Sequence, residues 1–286
     1  MTPSTPQRSR GAHDVAHYYD SNTRRFLALG GGARSHAIHR ALWGPGVTDP
    51  NAAANYINVL IGDAIESLRI HADFTLLDLG CGVGGTLFAL AHRFPQSRLH
   101  GITISERQYA LAGDLADQLG VAPSCTFHCG DFESIDIGLK ADIAIAIESM
   151  VHAQSMTGFL ANASRHLTTG GTLVIVDDFI AAPEQANDAT ARILQDFRAG
   201  WHLSNLTSVA AFVADAVAAG FEVSEVRDLS PLIRLQRPRD RIIAVLGPLL
   251  RRFAQVPIFA NLVGGAALTR GLRTGALSYC WLRLRR

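Results

Sequence analysis

Two carboxylates at the ends of apolar runs carry most of the chemistry legible in this 286-residue chain. Asp78 lies in Leu76-Leu77-Asp78-Leu79-Gly80-Cys81-Gly82-Val83-Gly84-Gly85-Thr86, which reads as a short strand, an acid, and a glycine-rich turn opening a helix. Such a turn lets a ligand lie against bare backbone, where side chains would otherwise block its approach. Glu148 follows the nearly all-apolar stretch Ala141–Ile147 and begins Glu148-Ser149-Met150-Val151-His152. Burial at a sheet edge is expected to raise its pKa, which suits a group that must accept a proton. The plainer alternative is a carboxylate that hydrogen-bonds backbone or His152. Phe197 and Trp201, one turn apart in Leu194-Gln195-Asp196-Phe197-Arg198, then two residues, then Trp201-His202, are candidates to line a pocket. Aromatic faces there would stabilise a cation, and ordinary core packing is the alternative.

The glycines at 80, 82 and 85 satisfy G-x-G-x-x-G, so a dinucleotide is the first ligand to consider. Two features weigh against it. Asp78 stands two residues before the first glycine, placed to accept a hydrogen bond from a cationic or amino group. The second strand ends Gly101-Ile102-Thr103-Ile104-Ser105, without the acid that would hold a dinucleotide's ribose.

The stretch Leu77-Asp78-Leu79-Gly80-Cys81-Gly82-Val83-Gly84 resembles the first motif of class I S-adenosylmethionine-dependent methyltransferases, and the likeness runs from about Phe74 to Asp228. Within that group, Thr103, Ile104, Ser105 and Gln108 lie in an element similar to one found in a narrower branch. That branch holds cyclopropane fatty acid synthases, sterol and tocopherol methyltransferases, and prenyl-diphosphate C-methyltransferases. The resemblance implies that Gly80, Gly82 and Gly84 admit the methionine moiety beside Asp78. It implies that Thr103, Ser105 and Gln108 replace the usual acid beside the ribose, and that Asp131 and Phe132 take the adenine. A turn or cap role is the alternative for Asp131. Tyr19 resembles the tyrosine that closes over the methyl donor in this branch.

The same resemblance implies what Glu148 does. In C-methylating members, methyl transfer to an alkene leaves a carbocation, and an active-site carboxylate stabilises it or takes its proton. The segment Ile38 to Gly46 is similar to the entry segment of small-molecule methyltransferases, including those that methylate prenyl groups. Arg24, Arg25, His36, His39 and Arg40 would then bind an acceptor's diphosphate with Mg2+, unless they are only exposed charges. The expected function is C-methylation of an isoprenoid alkene, either a prenyl diphosphate or a prenylated natural product. The alternative is an O- or N-methyltransferase of a small metabolite, with His152 or Glu148 as base.

Composition agrees with a globular enzyme. Hydrophobic residues make up 48% and charged residues 18%, and the net charge of +1 argues against a general nucleic-acid binder. Lys140 is the only lysine. Cys81, Cys125, Cys129 and Cys280 form no paired C-x-x-C spacing, so neither a protein-held metal nor a disulfide framework is expected. No apolar run has the length of a membrane span. Met1 to Asp14 lacks the apolar core of a leader. A cytoplasmic setting is expected, with no stable membrane insertion and scope for a homo-oligomer.

The elements that must position these residues alternate. Strands are expected at Thr75–Leu79, Arg98–Ile104, Cys125–His128, Ala141–Ile147, Thr172–Val176, Glu222–Asp228 and Ala276–Leu284. Helices are expected at Thr86–Arg93, Ser105–Leu119, Met156–Leu167 and Leu206–Ala219. This predicts an α/β fold: a parallel, doubly wound, Rossmann-like, seven-stranded sheet. Residues 1–14 read as a disordered tail and 15–70 as a helical cover. Residues 71–230 form the core, and 231–286 a basic helical lid with the last strand. Within the lid, helices are expected at Asp240–Phe253 and Ile258–Leu272.

Overall fold

The computed structural model describes residues 39–181, 187–235 and 257–286, with backbone alone for 257–261. Tyr19, Arg24, Arg25, His36, the 1–14 tail and the helix expected at Asp240–Phe253 lie outside the described residues.

The first described helix, α1 (Pro50–Ser67), begins where Asp49 accepts the backbone N–H groups of Asn51 and Ala52, with Pro50 preset for a first turn. Then come β1 (Thr75–Leu79), α2 (Gly85–Arg93), β2 (Arg98–Thr103), α3 (Glu106–Gln118), β3 (Cys125–Cys129) and β4 (Ala141–Ile147). A short 3-10 turn, Met150–His152, leads into α4 (Met156–His166) and β5 (Leu167–Ile180). The chain closes with α5 (Asp188–Trp201), α6 (Val209–Ala218), β6 (Glu222–Asp228), α7 (Pro257–Thr274) and β7 (Leu277–Arg285).

The seven strands form one sheet in the order β3-β2-β1-β4-β5-β7-β6. Neighbours from β3 to β5 run parallel, whereas β7 is antiparallel to both β5 and β6. The sheet is therefore mixed, which corrects the expectation of a parallel one. Strand β7 can enter antiparallel between them because the chain returns to the sheet through α7 after β6. Separate apolar clusters cover the two faces. One gathers Leu77, Leu79, Phe159, Phe179 and Phe212, the other Ile57, Leu76, Leu87, Leu99 and Trp281. A sheet buried on both faces explains the nearly unbroken apolar sequence of β4.

One boundary differs usefully from expectation. The Gly170-Gly171 pair does not close a helix running to Leu167. Helix α4 stops at His166, and both glycines lie inside a longer β5 that pairs with β4 at Ala141 and again from Ile143. At its other end β5 continues through Asp177 and Asp178 to Ile180, because β7 offers partners from Thr172 to Ile180.

Candidate active site

The strand order reverses between β1 and β4, and such a switch point opens a crevice at the carboxyl ends of the strands. A cavity of about 340 Å³ lies here. Its walls include Asp78, Gly80 and Gly82 after β1, Thr103, Ile104 and Gln108 around the end of β2, and Asp131 and Phe132 after β3. Glu148 and His152 after β4, and Phe197 and Trp201 of α5, face the same space. Of the residues expected from sequence, Gly84 and Ser105 are absent from the wall. Gly84, at φ +89, is the N-cap of α2, and Ser105 is fully buried as the N-cap of α3, accepting the Gln108 N–H at 3.1 Å.

The loop after β1 is shaped for close approach. Gly80 has φ +123, and a Cβ there would come within 2.4 Å of the Ser149 side chain. Gly82, at φ +56, is also left-handed. Asp78 is 4% exposed. Burial raises its pKa to about 8, and no ion pair to it is recorded among the described residues. Bare backbone beside a carboxylate lacking a counter-charge fits a ligand that brings a cation. Next to it, the Thr103 hydroxyl donates to Gln108 Oε1 at 2.9 Å, so this pair forms a joined polar wall. Asp131 accepts the Glu133 N–H at 2.9 Å in a local turn and still faces the cavity, while Phe132 meets Phe159 edge-on. The turn role and the wall position coexist.

Glu148 is less enclosed than its strand suggests, with 23% of its side chain exposed. The reason is local: its φ of +51 turns the chain out of β4 and aims the carboxylate at the crevice. Its Oε1 accepts the Tyr279 hydroxyl at 2.8 Å and the Arg40 backbone N–H at 2.9 Å. Arg40 does not present its guanidinium as an open anion site. It is forked onto Asp178, with Nη1 to Oδ1 at 2.6 Å and Nη2 on Oδ2, and its guanidinium lies 4.6 Å from the Tyr279 ring centre. Burial lowers the pKa of His39, whose Nε2 lies 3.2 Å from Asn58 Oδ1, and burial takes His152 down to about 4. Both imidazoles are neutral near pH 7.

Phe197 is 2% exposed and belongs to the core as well as the cavity wall. Trp201 is pressed against α7, where a Cβ on Gly264 would meet its indole at 2.7 Å. Two basic lid residues are tied locally: Arg234 sits 3.7 Å over the Trp43 ring, and Arg273 bonds the Leu235 carbonyl. Sequence reasoning missed Tyr279, Asp177 and Asp178. The two adjacent acids at the end of a strand were a signal that went unused.

Comparison with known proteins now adds to this geometry. Residues 70–208 match the family model described as a methyltransferase domain. Cycloartenol-C-24-methyltransferase 1 of Oryza sativa is 28% identical over 219 residues, covering 76% of this chain and 61% of that protein. The chain spans 44% to 61% of the length of the sterol methyltransferases it matches, and 9% of a matching polyketide synthase. Among solved structures, the [4+2]-cyclase SpnF aligns with a TM-score of 0.74 at 24% identity, over 96% of each chain. Geranyl diphosphate C-methyltransferase from Streptomyces coelicolor, in complex with Mg2+, geranyl diphosphate and S-adenosyl-L-homocysteine, aligns at 0.69 with 17% identity over both chains in full. At these identities the structural likeness speaks to the fold alone.

Proposed function

The chain carries a class I S-adenosylmethionine-dependent methyltransferase domain, and from that footing we propose that it methylates an alkene carbon of an uncharged isoprenoid. The donor supplies a methyl group on a sulfonium. Gly80 and Gly82 leave room for its methionine portion. Asp78, ionised on binding, answers its positive charge, and Asp131, Phe132, Thr103 and Gln108 receive the nucleoside. Positioning is most of the catalysis, since holding donor and acceptor in line lowers the barrier without further chemistry.

The observation that carries the reading is Glu148, turned out of β4 in a left-handed conformation and fixed on one oxygen by two donors. The alkene's π electrons form the new carbon–carbon bond as the carbon–sulfur bond breaks, leaving a cation on the adjacent carbon. Phe197 and Trp201 offer aromatic faces to that cation. Glu148 takes a neighbouring proton, and the freed pair restores an alkene.

The wall charges favour an acceptor without phosphate. Asp78, Asp131, Glu133, Glu148, Asp177 and Asp178 line the cavity, and among the described residues Arg40 is its one arginine, already engaged by Asp178. A diphosphate acceptor would need Mg2+ and further cations.

Glu148→Gln tests the reading directly. Donor binding by calorimetry should persist while turnover of prenylated and sterol-like alkenes disappears; near-normal turnover would sink it. A second reading, O- or N-methylation, draws on His152, a neutral imidazole on the same wall. It predicts that His152→Gln, rather than Glu148→Gln, removes activity on hydroxyl or amine acceptors.

A further inference from the structure

Building on Glu148 as proton acceptor, we infer that Tyr279 and Arg40 are positioning residues that aim its carboxylate, with Asp178 as their anchor. Tyr279 lies on β7 directly opposite Asp178 on β5, and both are buried. Glu148 enters from the end of β4, and Arg40 from the segment before α1. Four side chains from four places in the chain thus interlock at one edge of the sheet.

Each holds the next. Asp178 fixes the Arg40 guanidinium by a two-pronged bond, which also places it 4.6 Å over the Tyr279 ring. With the arginine fixed, its backbone N–H reaches Glu148 Oε1 at 2.9 Å, and the Tyr279 hydroxyl reaches the same oxygen at 2.8 Å. Burial and the neighbouring carboxylate push the Tyr279 pKa well up, so the phenol stays a donor. Two donors on Oε1 leave Oε2 to meet the acceptor. A non-glycine residue at φ +51 is strained and persists where its surroundings over-determine it. The cluster supplies that constraint.

A carboxylate so held removes one particular proton from the methylated cation. Tyr279→Phe keeps the ring beneath Arg40 and removes only the hydroxyl, so it isolates the aiming. In the full chain, kcat should fall about tenfold to hundredfold. Donor Kd and Tm should stay near wild type, and the ratio of alkene isomers in the product should shift. Asp178→Asn, which breaks the fork at nearly constant volume, should shift the isomer ratio the same way and decides the matter if Tyr279→Phe folds poorly. Wild-type kcat and isomer ratio in Tyr279→Phe, with Glu148→Gln inactive, would overturn the positioning role. An active Glu148→Gln would instead overturn the reading of Glu148 itself.

Discussion

Asp78 and Glu148 reach one cavity from the carboxyl ends of neighbouring parallel strands, and they are prepared in opposite ways. Asp78 is buried without a recorded counter-charge and is pushed up to about 8. Glu148 is half-open, yet two donors fix it. In the proposed function one carboxylate waits for a charge that a ligand brings, and the other keeps its orientation before any ligand arrives.

That difference gives Asp78 a pH signature. Its folded pKa lies above the unfolded value of 3.8, so its contribution to stability is complete below about pH 4 and is lost as pH rises toward 8. Asp78→Asn removes the penalty, so the ligand-free protein should melt several degrees higher at pH 8 and little differently at pH 4. Donor affinity in the wild type should rise with pH up to about 8, because binding must first release the proton, and the variant should bind donor at least a hundredfold more weakly. Calorimetry across pH 6–8.5 checks both. A pH-independent affinity would rule out the role given to Asp78.

Backbone strain at Glu148 can be read from two truncations. Glu148→Ala and Glu148→Gly both lose the carboxylate and its two bonds, but only glycine adopts φ +51 without cost. The glycine variant should therefore be more stable than the alanine variant by about 1 kcal/mol, the reverse of the usual order in regular structure. Urea denaturation of the pair measures it.

Gly80→Ala should damage the donor site more than the fold around it. At φ +123 any side chain is strained, and the new Cβ would fall 2.4 Å from Ser149, whose hydroxyl donates to the Leu79 carbonyl. Relief requires moving the loop or breaking that bond. Donor binding should become undetectable by calorimetry, while circular dichroism keeps the α/β signature with Tm lowered by several degrees.

Much of this was readable because it is local. The turn from Leu76 to Thr86, the pairing of Thr103 with Gln108, and the apolar run that delivers Glu148 to the edge each depend on residues close in sequence. What escaped depends on register. Tyr279 bonds Glu148 across 131 positions, and nothing in Leu277-Ser278-Tyr279-Cys280 announces a site residue. Asp177 and Asp178 read as the end of a strand, since acids rarely continue a buried one. They remain inside β5 because Val151 N–H and Arg40 satisfy them. Arg40 read as a free cation because its partner lies 138 positions away.

Histidine burial predicts acid lability. His39 and His128 are lowered, and His100 and His152 are taken down to about 4, with burial the largest cause in each case; His100 also faces His128 and Arg98. Folded pKa values below the unfolded 6.5 mean stability present above about pH 6.5 and lost as pH falls toward 4. In the wild type the Asp78 penalty shrinks over the same range and partly masks the loss. Tm should therefore drop more steeply between pH 6.5 and 4 in Asp78→Asn than in the wild type; parallel curves would contradict the assignment.

The acceptor side can be separated from the donor side through Gly264. Helix α7 lies so close to α5 that a Cβ at this position would stand 2.7 Å from the Trp201 indole and 3.0 Å from the Gly200 backbone. The backbone contact cannot swing away, so Gly264→Ala must separate the helices or displace Trp201 on the cavity wall. The proposed donor contacts after β1, β2 and β3 lie elsewhere on that wall and should be untouched. The expected result is an acceptor KM raised about tenfold, the effect of losing a well-packed apolar contact worth roughly 1–2 kcal/mol, with donor Kd unchanged. Equal losses in both would mean that α7 supports the whole cavity and does not shape the acceptor end alone.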